Sequence, residues 1–369
     1  MHALGFRAEP IAPALEARKI DDWKAASPPE ALIAALNTFV DRAPAEIAEV
    51  KSAIETVRPD LLLIDVHSWG AAALAEVSGI PWASYAPYFL PFEGAGIPAW
   101  GFGLPPAVGE AVAMRDAILW QMMHQLFDQV LPAQNAVRES VGARPFQRGS
   151  DYIRASSLLL YYTAEPFEYR RDPWPEHVRL VGPGIWEPAS ENGDASAKDG
   201  PPLVLVTAST EFQNDGRLIR TAIEALRDQP YRVVLTTGAL DPTDFEAAAN
   251  MRIVRYAPHG ELLGRAVCVV CHGGMGITQK ALAAGVPVCV VPFGRDQFEV
   301  GRHVATAGAG VSLPAFMLET EALRVGVRET IACRPGARRI ADAFARAGGA
   351  VAAADELEQL SPATLASGS

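Results

Sequence analysis

The chain alternates short, continuous apolar runs with longer stretches of helical periodicity. LLLID (61–65) leads into a small-residue helical stretch over 70–78, and WASYAP (82–87) follows. Residues 158–163 and 178–181 are further apolar runs. After a break come LVLVTA (203–208), VVLTT (233–237), IVRYA (253–257), VCVVC (267–271) and VCVVP (288–292). A strand that is apolar at successive positions is covered on both faces, which is the condition of a parallel sheet between helices. The pattern therefore predicts an α/β chain of doubly wound parallel sheets. The break, GPGIWEPASENGDASAKDGPP (182–202), is polar, aperiodic and rich in Pro, Gly and Ser, and reads as a linker. The expected organisation is a first domain over 1–187, a linker over 188–201, a second domain over 202–350 and a C-terminal helix and tail over 351–369. Ligands of such sheets sit at the C-terminal ends of strands. The expected site is thus the cleft between the domains.

Composition narrows the class. A length of 369 residues suits two domains, each able to bury its own core. The formal net charge of -11 and the lack of a basic stripe argue against a nucleic-acid partner. No apolar run has the length of a membrane span. The opening MHALGFRAEP lacks the charged-then-apolar pattern of a signal peptide, so four reduced cysteines in a cytoplasm are expected. Cys268 and Cys271 form C-V-V-C, but residues three apart on a strand face opposite ways, so they read as buried and structural. Cys289 and Cys333 read the same way.

The candidate chemistry begins where the run 267–271 ends. His272-Gly273-Gly274 is followed by Gly276 and a helical stretch to about residue 284. The first N–H groups of a helix lack internal partners, and its dipole is positive there. Glycines let a ligand approach the backbone. The turn is therefore suited to an anion, most often phosphate. It carries neither the Walker Lys-Ser/Thr nor the GxGxxG spacing. From these residues alone His272 is a phosphate donor, a base, a metal ligand or a bystander to a tight turn, although no histidine stands at a spacing that would complete a metal site.

The stretch HGGMGITQKALAAGVPVCVVPFGRDQ (272–297) resembles the donor-binding signature of family 1 nucleotide-sugar-dependent glycosyltransferases, which have the GT-B fold of two facing Rossmann-like domains. The resemblance is greatest to the bacterial branch acting on macrolides and other natural products. It extends to LLLIDVHSWGAAALAEVSGIPWASYAP, VRLVGPGIWEP and YAPHGELL. It implies that His272 contacts the donor diphosphate, with Gly273, Gly274, Gly276 and the backbone of Ile277 and Thr278 cradling it. It implies that Asp296 and Gln297 read sugar hydroxyls, and that Tyr256 and Ala257 meet the nucleobase. Ser209 and Thr210 match, more loosely, a loop at the far phosphate. Two positions depart from the pattern. Ile277 stands where a hydroxyl residue is common, and Lys280 stands where many members place a ribose-binding glutamate.

The resemblance further implies a base: a histidine after the first strand, oriented by an aspartate that Asp65 matches. That histidine is not in this sequence. MHALGFRAEPIAP resembles what usually follows the second strand, so the first domain is expected to lack its initial strands. His2 is out of context, and His67 is a conceivable substitute. The implied activity is inverting, metal-independent transfer of a hexose from a UDP or dTDP sugar to a hydroxyl of a small apolar acceptor. The donor is a co-substrate and no cofactor is implied. Residues 85–106 (YAPYFLPFEGAGIPAWGFGLPP) are expected to line the acceptor site. The alternatives are a nucleotide-sugar epimerase of the same fold, or a nucleotide-binding partner protein without catalysis.

Overall fold

The apolar runs fold as parallel strands. The computed structural model describes residues 5–106, 109–187, 200–211, 213 and 215–360. Most of the expected linker, 188–199, and the tail 361–369 lie outside the described residues. A short helix α1 (Pro13–Glu16) and the long α2 (Pro28–Val57) precede β1 (Leu62–Asp65), α3 (Trp69–Val77) and β2 (Trp82–Ala86). Then come α4 (Glu110–Asp128), α5 (Leu131–Ser140), β3 (Leu159–Tyr161) and β4 (Val178–Leu180). These strands form one parallel sheet in the order β1-β2-β3-β4. Among the described residues β1 has β2 as its single neighbour, and its Leu63 is left 39% exposed.

The second sheet starts at β5 (Leu203–Thr207), followed by α6 (Gly216–Leu226), β6 (Arg232–Thr236), β7 (Met251–Val254) and α7 (His259–Leu263). The chain continues through β8 (Ala266–Cys271), α8 (Met275–Ala283), β9 (Val288–Val290), α9 (Gln297–Thr306) and β10 (Gly310–Ser312). Helices α10 (Thr320–Ala332), α11 (Arg334–Ala347) and α12 (Ala350–Leu360) complete it. The six parallel strands run β10-β9-β8-β5-β6-β7. The winding direction therefore reverses between β5 and β8, and a crevice opens beyond their C-terminal ends. Thr207 and Cys271 are paired in register, so the loops after these two strands lie side by side.

All five residues of β5 are buried, as a strand covered on both faces requires. Leu203, Leu205, Val269 and Cys271 join one core, and Val204, Val206, Cys268 and Val270 join the other. Cys268 and Cys271 thus face opposite ways, and all four cysteines are free. The first of these cores is continuous with the first domain through Phe89, Phe167, Val300 and Phe344. One strand shifts from its expected place. The run 253–257 pairs only as far as Val254, because the backbone turns at Pro258 into α7. Helices α2, α4 and α5 are additions to the elements expected from the sequence. Helix α12 returns to the first sheet, where Ala353 packs with Ala83, Leu158, Leu160 and Val181.

Candidate functional site

The turn after β8 is shaped by close contacts. Gly273 has φ +97°, and a Cβ there would stand 2.8 Å from Val290 Cγ1 and 3.1 Å from Gln297 Cβ. The backbone conformation and the space both demand glycine. Gly274 is the N-cap of α8, and a Cβ on it would lie 2.6 Å from His272 Nε2, so the imidazole lies over the turn. Beside Gly276 nothing stands within 4 Å of a notional Cβ. The amides of Met275, Gly276 and Ile277 are the first three of α8 and have no intrahelical acceptor.

Thr278 departs from the expectation of a phosphate contact. Its amide donates to Gly274 O at 3.1 Å and its hydroxyl donates to the same oxygen at 2.9 Å. Its side chain is fully buried, so it braces the turn from within and does not compensate for Ile277.

His272 is 7% exposed. Burial pushes its pKa down to about 4, and the positive charge of Arg295 acts in the same direction. It is therefore neutral near pH 7. Its ring is held against the backbone of Thr207, its Nδ1 is buried, and its Nε2 is the nitrogen that lies over the turn.

Facing this turn is the segment between β9 and α9. Arg295 has φ +54° and forks onto Asp22, with 2.9 Å contacts to both carboxylate oxygens, while its Nη1 reaches Glu211 at 3.2 Å. The pair with Asp22 ties this loop to the N-terminal segment. Asp296 follows, and its carboxylate makes no capping bond to α9. Burial raises its pKa to about 6. Gln297 is placed otherwise than expected. It is 2% exposed, its Oε1 accepts from the amides of Phe293 (2.8 Å) and Gly294 (3.2 Å), and its Nε2 donates to Gln213. Gln297 shapes the loop that presents Asp296, and one amide hydrogen is left for a sugar hydroxyl.

Ser209 and Thr210 follow β5 beside His272. Ser209 is buried: its amide donates to Asp215 at 2.7 Å and its Oγ accepts from Gln213 Nε2 at 2.9 Å. Thr210 is exposed. Ser209, Gln213 and Gln297 thus form a chain of side-chain hydrogen bonds linking the loops after β5 and β9. Tyr256 is 60% exposed at the end of β7, with Ala257 beside it packed against the core. Lys280 is engaged in an ion pair. Its Nζ contacts Glu187 Oε1 at 2.8 Å, and Glu187 also accepts from the amides of His259 and Gly260.

Asp65 ends β1. Its Oδ1 accepts from Tyr88 Oη at 2.6 Å and from the His67 amide at 2.8 Å. His67 stacks between Phe39 and Tyr88, with ring centroids 4.5 Å and 4.7 Å away. Burial pushes its pKa down to about 4, against the opposing charge of Asp65. So weak a base, held flat between two rings, does not fit the substitute role considered for it.

Known proteins resemble this chain in sequence and in fold. Residues 222–360 match the family described as "Erythromycin biosynthesis protein CIII-like, C-terminal domain". Over 334 residues the chain is 32% identical to 4'-demethylrebeccamycin synthase of Lentzea aerocolonigenes, covering 87% of this chain and 79% of that protein. The chain belongs to the family 1 natural-product glycosyltransferases. The glycosyltransferase is also 26% identical to demethyllactenocin mycarosyltransferase of Streptomyces fradiae, over 89% of this chain and 68% of that one. Among solved structures, the glycotransferase of kitacinnamycin superposes with a TM-score of 0.71 at 23% identity, covering 89% of this chain and 83% of that one. VinC, solved in complex with DTDP, superposes with a TM-score of 0.65 at 18% identity, covering 97% and 88%. Both likenesses are of fold, and the fold is GT-B.

Three residues that brace the candidate site were not read from the sequence: Arg295, Asp22 and Glu187. A lone charge in a loop gives no periodic signal, and the partners of Arg295 and Lys280 lie 273 and 93 residues away. No described helix of the glycosyltransferase is long and apolar enough to cross a membrane.

Proposed function

We propose that the enzyme transfers a hexose from a UDP or dTDP sugar to a hydroxyl of a small apolar acceptor, inverting the anomeric carbon. The observation that carries this reading is the neutral His272, its Nε2 lying over the free amides that open α8. As a neutral ring it offers one N–H to a phosphate oxygen, and Met275, Gly276 and Ile277 offer three more. In the reaction the acceptor oxygen bonds to the anomeric carbon while the bond from that carbon to the diphosphate breaks. The acceptor proton passes to solvent water as the new bond forms, and the nucleoside diphosphate leaves with the electron pair of the broken bond. The departing diphosphate gains charge, which preorganised donors stabilise without a metal. Asp296, whose carboxylate makes no capping bond to α9, reads sugar hydroxyls, and Tyr256 offers an exposed ring for the nucleobase. Asp65 is assigned an orienting role at the acceptor side, through Tyr88. The reading is supported by a relative named as a mycarosyltransferase and by VinC, solved with DTDP.

Replacing His272 by Ala is expected to weaken binding of dTDP or UDP by about tenfold or more in calorimetry, and to slow transfer by about 10²-fold. Unchanged affinity and rate would sink the assignment. Transfer should persist in a chelator, and the product should have the opposite anomeric configuration to the donor. Conversion of the sugar without acceptor would instead favour an epimerase.

A further inference from the structure

Helix α9, which begins directly after Asp296, also holds a loop of the other domain. Glu299 Oε1 accepts from the amides of both Gly101 (2.8 Å) and Gly103 (2.9 Å). One turn of neighbouring contacts reinforces this: Arg302 Nε donates to the Gly103 carbonyl at 2.7 Å. Gly103 has φ +59°, and a Cβ on it would stand 2.9 Å from the Phe298 carbonyl, so the loop lies directly on the helix backbone. The carboxylate is 3% exposed and belongs to neither a catalytic nor a capping arrangement. His303 Nε2 comes within 3.9 Å of it, but His303 is itself buried and held neutral, with its Nδ1 donating to the Phe167 carbonyl. The contact between the two side chains is therefore not an ion pair. Glu299, Arg302 and His303 of α9 are thus bonded to the first domain, while Asp296 stands at the N-cap of the same helix.

We propose that Glu299 and Arg302 are positioning residues that latch the loop 100–103 to α9, so that the aromatic wall of the acceptor side and the sugar-reading Asp296 move as one unit. The loop carries Trp100 and the exposed Phe102, the kind of surface that meets an apolar acceptor. Freed from Glu299, its two amides would return to water and the loop would move independently of the donor half. A rigid acceptor wall registered on the donor helix sets the distance between acceptor hydroxyl and anomeric carbon, where small errors cost rate. The inference rests on the glycosyltransferase reading for what the two sides hold, but the latch itself is a property of the chain.

Hydrogen–deuterium exchange tests it on the whole protein, with and without dTDP and UDP. In Glu299→Ala, amides of 100–106 should exchange about tenfold faster or more, with the strands of both sheets unchanged. Glu299→Gln keeps an acceptor oxygen and should restore slow exchange. Nucleotide should slow exchange of both 100–106 and 293–299 in the unmodified protein, but of 293–299 alone in Glu299→Ala. With an acceptor in hand, Glu299→Ala should raise its KM about tenfold while the donor KM moves less. If Glu299→Ala does not fold, Arg302→Ala and Gly103→Ala loosen the same loop and take its place. Equal loop exchange in the unmodified protein and these variants overturns the latch, as does faster exchange spread through both sheets. If nucleotide protects nothing in the unmodified protein, the donor reading fails, and the comparison without nucleotide still decides the latch.

Discussion

Asp296 and Gln297 are neighbours in sequence with different tasks. Gln297 is buried and bonded to its own loop, while Asp296 makes no capping bond to α9 and has a pKa that burial raises to about 6. An ionised carboxylate accepts hydroxyl hydrogen bonds more strongly than a protonated one. Binding of the sugar donor should therefore weaken as pH falls below about 6, by up to about tenfold per pH unit, while binding of the bare nucleoside diphosphate changes less. Asp296→Asn should bind the sugar donor weakly and without that pH dependence, and calorimetry from pH 7 to 5 checks both. The sign for stability is opposite. The folded chain holds this proton more tightly than the unfolded one, so the contribution is present below pH 3.8 and is lost as pH rises through about 6. The placement of Asp296 and His272 near one glycine turn was legible in the sequence because a motif of fixed spacing carries them. The commitment of Thr278 and Gln297 to internal bonds was not, because it depends on which backbone groups the turn leaves within reach.

At the scale of the element, the β8–α8 turn stands out because its glycine serves two needs. Gly273→Ala would put a Cβ in a left-handed residue 2.8 Å from Val290 Cγ1. The expected cost is about 1–3 kcal/mol, seen as a lower denaturation midpoint together with weaker nucleotide binding. The same variant at Gly276, which has open space, should fold normally. The strands were readable because burial on both faces leaves continuous apolar runs such as Leu203–Thr207. Strand β10 was not, since Gly310–Ser312 is three residues long and only its pairing with β9 defines it. Long helix α2 hid for another reason: of its 30 residues only Leu36, Phe39 and Ala43 are buried, so its apolar stripe is thin.

For the whole molecule, the domains are joined by more than a linker. One hydrophobic core runs through both, α9 is latched to the loop 100–103, and Gln279 Nε2 donates to the Tyr162 carbonyl. Helix α12 crosses from the second domain to cover the first sheet. Ala353, 3% exposed there, has no room for a long charged side chain. Ala353→Arg should release α12, with faster proteolysis within 350–360 and a loss of about 1–3 kcal/mol from overpacking. The Arg179–Glu356 pair at 3.3 Å is partly solvated and would not hold the helix alone. The sequence by itself determined the parallel α/β architecture, the glycine turn with its histidine, and Asp296, because each rests on residues close together in the chain. Only the tertiary structure decided which of them face the cleft, that Lys280 is bound to Glu187, and that Glu299 holds the opposite domain. Those outcomes depend on contacts between residues as much as 198 positions apart, which no local pattern encodes.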